Sequence, residues 1–281
     1  MTTPARRTAP LRADCIADSA GGLTFDVPAA GEAGTAHLVL RRRDGREEVC
    51  LPLTPAASGR LRAALPSIVA LPEGRWDAYA CTDDGETRRL VPGVTDLRSL
   101  AARTPSGSRG HVAVRVPYAT RQGNLTVRSW LRAPHAEAGD LRTGEGTLTV
   151  HGRVYGAALT ADACAELRGR HAPDPVRRLD IRADDAEFRF TVPYARLEPG
   201  IWDLWLRPAG KAGPGVRIAR LLDDVADRKP GPAGARVRVD TPRGPVEAGP
   251  YYTRDNDLSV SVTPITPITP VTQAAPVGSP R

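Results

Sequence analysis

The sequence predicts an all-β protein of two tandem antiparallel β-sandwiches, on three observations. Gly and Pro supply 54 of the 281 residues, 27 each, a density that interrupts helices and favours short strands joined by tight turns. Short runs of alternating apolar and polar residues recur about every ten residues, the spacing of an antiparallel sandwich. Finally, the chain repeats itself. Leu71-Pro-Glu-Gly74-Arg-Trp76-Asp77-Ala-Tyr79 returns 126 residues later as Leu197-Glu-Pro-Gly200-Ile-Trp202-Asp203-Leu-Trp205. Pro117-Tyr118-Ala-Thr120-Arg121-Gln-Gly-Asn-Leu125-Thr-Val127 returns 133 residues later as Pro250-Tyr251-Tyr-Thr253-Arg254-Asp-Asn-Asp-Leu258-Ser-Val260. A fainter pair, 61–66 and 188–193, precedes both. Units this long hold a core of their own, unlike solenoid repeats of roughly 20–50 residues.

Taken in order, residues 1–19 read as a flexible N-terminal segment and 20–132 as the first sandwich. Its strands are expected at Leu23–Val27, Ala36–Arg42, Glu47–Leu53, Arg60–Leu65, Arg75–Cys81, His111–Val116 and Leu125–Arg132. Residues 133–145, rich in Gly, Ala and charge, read as a linker. The second sandwich spans 146–263, with strands at Gly146–Tyr155, Val176–Arg182, Glu187–Val192, Ile201–Arg207, Gly215–Ala219, Arg236–Asp240 and Leu258–Val262. One helical insertion is expected over Thr160–Arg170, with Thr160 as its cap and Ala, Cys164 and Leu167 along one side. The turns Arg121-Gln-Gly-Asn124 and Arg254-Asp-Asn-Asp257 supply residues that tolerate positive φ. Residues 264–281, with proline in a three-residue repeat, read as a disordered, extended tail. Short strands, turn spacing and duplication together suggest immunoglobulin-like sandwiches.

Charge and composition exclude several classes. The net charge of +7 divides into +4 for residues 1–140 and +3 for 141–281. No basic face interleaved with aromatics emerges, so nucleic acid is not an expected partner. The one dense run, Arg41-Arg42-Arg43, is followed by Asp44, Glu47 and Glu48 and reads as a solvated strand end. No stretch reaches the ~18 apolar residues of a transmembrane helix. The first 22 residues lack the apolar core of a secretory signal, which points to the cytoplasm, possible peripheral contact with membrane-associated machinery aside. Cys15, Cys50, Cys81 and Cys164 are too widely spaced for a C-x-x-C site and read as thiols, although Cys50 and Cys81 fall in strands that could face each other.

The sequence contains no recognisable set of catalytic residues. There is no phosphate-binding glycine loop and no G-x-S-x-G elbow. The five histidines (His37, His111, His135, His151, His171) are scattered, so no metal ligand set and no cofactor is expected. Asp255-Asn256-Asp257 has the spelling of a divalent-metal motif, but its repeat counterpart is Gln122-Gly123-Asn124, so both read as the same hairpin turn. The carboxylate pairs Asp83-Asp84, Asp184-Asp185 and Asp223-Asp224 read as turn residues.

The Gly-x-Trp-Asp strand and the Pro-Tyr-x-Thr hairpin resemble the β-sandwich modules appended to actinobacterial glycosyltransferases and CDP-glycerol glycerophosphotransferases of wall-polymer synthesis. The resemblance covers about residues 20–131 and 145–263. It implies an accessory role in assembly or polymer binding, with a wall polymer or a glycosyltransferase as partner. In such enzymes catalysis belongs to a separate nucleotide-binding α/β unit, which this chain lacks.

Period-two geometry sharpens the binding expectation. Trp202, Leu204 and Leu206 share the core face of one strand, leaving Asp203, Trp205 and Arg207 on the other, and the first copy leaves Asp77 and Tyr79 outward. An aromatic ring beside a carboxylate suits a sugar, the ring stacking on C–H groups and the acid accepting hydroxyl hydrogen bonds. The expectation is therefore a non-catalytic tandem module whose candidate sugar-facing residues are Asp77, Tyr79, Asp203, Trp205 and Arg207. The alternatives are a transferase with an unrecognised site and a purely structural protein scaffold.

Overall fold

The computed structural model describes residues 9–29, 35–82, 85–101, 110–170, 176–229 and 233–265. The fold is all-β. The first repeat contains β1 (Leu11–Ala17), β2 (Leu23–Pro28), β3 (Thr35–Arg42), β4 (Glu48–Pro52), β5 (Thr54–Ala56), β6 (Arg60–Leu65), β7 (Gly74–Thr82), β8 (Thr87–Asp96), the one-turn helix α1 (Arg98–Ala101), β9 (Val112–Ala119) and β10 (Leu125–Arg132). The second contains β11 (His135–Gly144), β12 (Thr147–Tyr155), β13 (Cys164–Gly169), β14 (Val176–Asp180), β15 (Arg182–Asp184), β16 (Glu187–Pro193), β17 (Gly200–Arg207), β18 (Val216–Ala219), β19 (Val237–Thr241), β20 (Gly244–Tyr252) and β21 (Leu258–Pro264).

The duplication holds for every strand except β19, which pairs β20 and has no counterpart in the first repeat. In the first repeat β1 pairs β2, β2 pairs β6 and β6 pairs β5, while β7 is flanked by β3, β8 and β10. In the second, β11, β12, β16 and β15 follow the same path, and β17 is flanked by β13, β18 and β21. Even the register agrees, with Trp76 opposite Val127 and Trp202 opposite Val260. Alternation along the strands fills one core with Phe25, Leu38, Leu40, Leu65, Trp76 and Leu125, and a second with Val150, Phe190, Val192, Trp202, Leu204 and Leu258. Ala219 and Leu221, from the second repeat, pack into the first core.

The structure corrects several expectations. Pairing is not wholly antiparallel, because β1 runs parallel to β8 and β11 parallel to β18. The segment expected to be helical, Thr160–Arg170, forms β13 instead; Ala165 and Leu167 face the core and Glu166 and Arg168 face away, and the Thr160 hydroxyl donates to the carbonyl of Pro208 at 3.2 Å rather than capping a helix. The expected linker contains β11, whose buried Ala136 and Ala138 give small side chains to the core. Within the expected flexible N-terminal segment lies β1, with Leu11, Ala13, Cys15 and Ala17 all buried, residues 1–8 being outside the described residues. Cys50 and Cys81 do not meet, since β3 lies between their strands, and both thiols are free. Of the expected tail, 266–281 lie outside the described residues, as do Asp83-Asp84 and His171. Among the described residues no helix is long and apolar enough to cross a membrane.

Candidate functional site

The repeated Gly-x-Trp-Asp strand positions the candidate site in both copies. Gly74 and Gly200 open β7 and β17 at φ of 157° and 140°, in a region that disfavours side chains, and at Gly74 an added Cβ would stand 3.0 Å from Arg42 Nε. Two residues on, the tryptophan enters the core and satisfies its indole N–H on the carbonyl four residues back: Trp76 Nε1 donates to Pro72 at 3.0 Å, and Trp202 Nε1 to Glu198 at 2.9 Å. Strand alternation then turns the following aspartate onto the opposite face.

There each aspartate is the centre of the same constellation. Asp77 accepts from Arg43 Nη2 at 2.6 Å, from the Thr126 hydroxyl at 2.7 Å and pairs with Arg89 at 2.8 Å. Asp203 accepts from Arg170 Nη2 at 2.7 Å, Arg217 Nη2 at 2.7 Å and the Ser259 hydroxyl at 2.8 Å. Arg89 and Arg217 each spend a second N–H on the backbone, at the carbonyls of Ala78 and Leu204. Burial pushes both carboxyls up, but the arginines and hydroxyls outweigh it and hold them below the ordinary carboxylate range. Both acids thus reach the surface with arginine and hydroxyl partners already in place.

The half-buried rings beside them are covered by guanidinium. Arg41 and Arg89 lie 4.9 and 4.8 Å from the Tyr79 ring centre, and Arg168 and Arg217 lie 4.1 and 5.5 Å from that of Trp205. Arg207 is turned inward: its Nε donates to Glu166 at 3.0 Å and its Nη1 to the carbonyl of Gly213 at 2.5 Å. The side chains that reach solvent at equivalent places on both copies are Arg41 with Arg168 and Arg43 with Arg170, each 34–41% exposed, and in the second copy Arg178 joins them at 45%. Strand parity places the aspartates and rings on this face but does not bring these arginines to it, Arg41 and Arg43 being expected only as a solvated strand end. Their signal was present, since Arg43 and Arg170 recur 127 residues apart and Arg89 and Arg217 128 apart, close to the tryptophan offset.

The hairpin motif has a different task. Gly123 and Asn256 take φ of 79° and 59° at matching turn positions, and the Thr120 and Thr253 hydroxyls accept turn N–H groups of Asn124 and Asp257. In the second copy the turn docks on the first. Asp255 accepts from Arg128 Nη2 at 2.6 Å, its carbonyl accepts from Trp130 Nε1 at 3.2 Å, and Asp257 accepts from Arg132 Nη1 at 2.9 Å. The Asp-x-Asp spelling therefore belongs to a contact between copies. Among the described residues no group of three or more His, Cys, Asp or Glu converges as a metal site. The run Arg41-Arg42-Arg43 is matched by Glu48, Glu47 and Asp77 respectively.

No family model matches this chain, and no curated protein does. Among solved structures, it is similar to a pullulanase from Anoxybacillus sp. LM18-11 complexed with maltotriose (12% identity, TM-score 0.27), over 69% of this chain and 24% of the pullulanase. It is also similar to S. aureus TarS 217-571 (11% identity, TM-score 0.31), over 65% of this chain and 55% of that fragment. The titin domains Z1Z2 in complex with telethonin give 11% identity and a TM-score of 0.22, over 78% of this chain and 97% of theirs. At these values the likenesses assign neither family nor function.

Proposed function

We propose that the chain is a non-catalytic tandem β-sandwich module that binds an anionic, repetitive polymer, a polyol-phosphate or acidic glycan of the kind handled in wall-polymer synthesis. The observation that carries this reading is the doubling of one constellation: an aspartate, two arginines and a hydroxyl beside a ring overlaid by guanidinium, built on the equivalent strand of each copy. Asp77 and Asp203 act as anchors, Tyr79 and Trp205 as platforms, and Arg207 as a support for Glu166. Arg41, Arg43, Arg168 and Arg170 are the groups offered to a ligand. Two like faces on one chain gain avidity from a repetitive ligand even where each contact is weak. The repeated motifs' resemblance to modules of wall-polymer transferases supplies the ligand class.

The test is binding of a glycerol-phosphate polymer to the native chain and to an Arg41→Gln, Arg168→Gln double variant whose circular dichroism spectrum and cooperative unfolding show it to be folded. Native binding that weakens with added salt, and about tenfold weaker binding by the variant, are expected. Equal affinity of the two proteins, or native binding of an uncharged glucan as tight as of the polyanion, overturns the reading.

A further inference from the structure

The repeated hairpins each carry an arginine that the strand face does not use. Arg121 and Arg254 hold the same place after the Thr of the two motifs. Docking of the copies brings both to one cleft of about 240 Å³, which Arg43, Arg75, Tyr118 and Asp227 also line. Arg43 is matched by Asp77, but Arg75, Arg121 and Arg254 form no ion pair among the described residues. The acids next to Arg254 are committed elsewhere, Asp255 to Arg128 and Asp257 to Arg132. Asp227, the one carboxylate in the lining, accepts the backbone N–H of Lys229 at 3.0 Å. Three unmatched guanidiniums thus face a single acid in a concave site. Arg75 also presses on its neighbour: burial first, and the charge of Arg75 next, push the Arg128 guanidinium down.

We infer that this cleft between the copies is a binding site for a phosphoryl group, free or esterified to a small polyol. Guanidinium forks match phosphate oxygens geometrically as well as electrostatically, which ammonium groups do not. The volume lies just under the ~300–1,000 Å³ of drug-sized pockets and suits a ligand of this size. Tyr118 adds a hydroxyl for the alcohol groups of such an ester. Arg75 and Arg121 come from the first repeat and Arg254 from the second, so the full set exists only where the two copies are docked. Arg43 lines both this cleft and the strand face, but Arg75, Arg121 and Arg254 belong to the cleft alone.

Calorimetric titration with inorganic phosphate and, separately, with glycerol 3-phosphate tests the site. Saturable one-to-one binding by the native chain is expected, at least about tenfold weaker in an Arg121→Gln, Arg254→Gln double variant, with Arg46→Gln unchanged. Both turn positions are exposed, so the variant should keep its melting temperature. The arginine side-chain NMR signals of the native chain give the same answer without substitution, phosphate shifting those of Arg75, Arg121 and Arg254. The Arg41→Gln, Arg168→Gln chain should keep its phosphate affinity, which separates failure of the strand face from failure of the cleft. Absence of saturable phosphate binding, equal affinity of native and cleft variant, or shifts confined to other arginines overturns the proposal.

Discussion

The two copies differ most where they are otherwise most alike. Beside the shared aspartate constellation, the first copy places Val39 opposite Tyr79, Cys50 opposite Val39, and Cys81 next along the face. The second copy has Glu166 opposite Trp205, Arg178 opposite Glu166, and Arg207 next along. Glu166 is 1% exposed and is held by Arg168 at 2.8 Å, Arg207 at 3.0 Å and Arg178 at 3.3 Å. A carboxylate buried this far is tolerated only with charge partners and hydrogen bonds around it, so valine and glutamate at this position require different neighbours. The lesson is that the sandwich fixes which strands meet, whereas the chemistry of this patch is settled by groups of three residues that work together.

The comparison can be pressed first at what the copies share. Replacing Trp76 or Trp202 by alanine should each cost about 3–5 kcal/mol, because both indoles are buried and hydrogen-bonded. Denaturant unfolding followed by fluorescence measures it, and a clearly smaller loss for one would mean that the two cores are not equivalent in energy.

Next comes the difference itself. Glu166→Ala should cost about 2–3 kcal/mol, below the ~3–5 for a fully buried pair because its arginines are partly exposed. Converting the whole set to that of the first copy, by Glu166→Val, Arg178→Cys and Arg207→Cys together, should recover most of the loss. Failure of the triple variant to recover would show that the second copy has diverged beyond this patch.

The smallest effect is in pH. Asp77, Asp203 and Glu166 are each held below their ordinary range, so their contribution is complete above about pH 4–5 and disappears as pH falls through the lowered values. The melting temperature should fall in acid below about pH 4, and Asp203→Asn should flatten that fall. An unchanged acid profile in Asp203→Asn would remove the ionic constellation from the account of stability.

Much of the fold was legible because duplication compares the chain with itself. The tryptophan strands, the hairpins and the positive-φ turn positions all follow from aligned motifs. The strands that escaped have weak or misleading patterns. Ala13, Ala17, Ala136 and Ala138 contribute little apolar contrast, and Pro245 and Pro250 break the donor pattern of β20. In β13 the buried Glu166 disguises the alternation, since its burial depends on Arg178 and Arg207, 12 and 41 residues away. The site was half legible for the same reason. Parity placed Asp77, Tyr79, Asp203 and Trp205 on the outer faces, but which arginines reach them depends on strand order.

The contact between copies is written in two different hands. The first copy contributes Arg128, Trp130 and Arg132, whose counterparts in the second are Ser261, Thr263 and Ile265; the second contributes Asp255 and Asp257, whose counterparts in the first are Gln122 and Asn124. A lock and its key thus sit on separate copies, and neither copy carries both. Duplicated modules are prone to join indefinitely, head to tail, when each copy carries both of two complementary surfaces. Here a further copy bearing the same acidic turn would find Ser261, Thr263 and Ile265 on the second copy where the first offers Arg128, Trp130 and Arg132. The joint closes after a single use, which leaves the arginine cleft beside it formed once per chain.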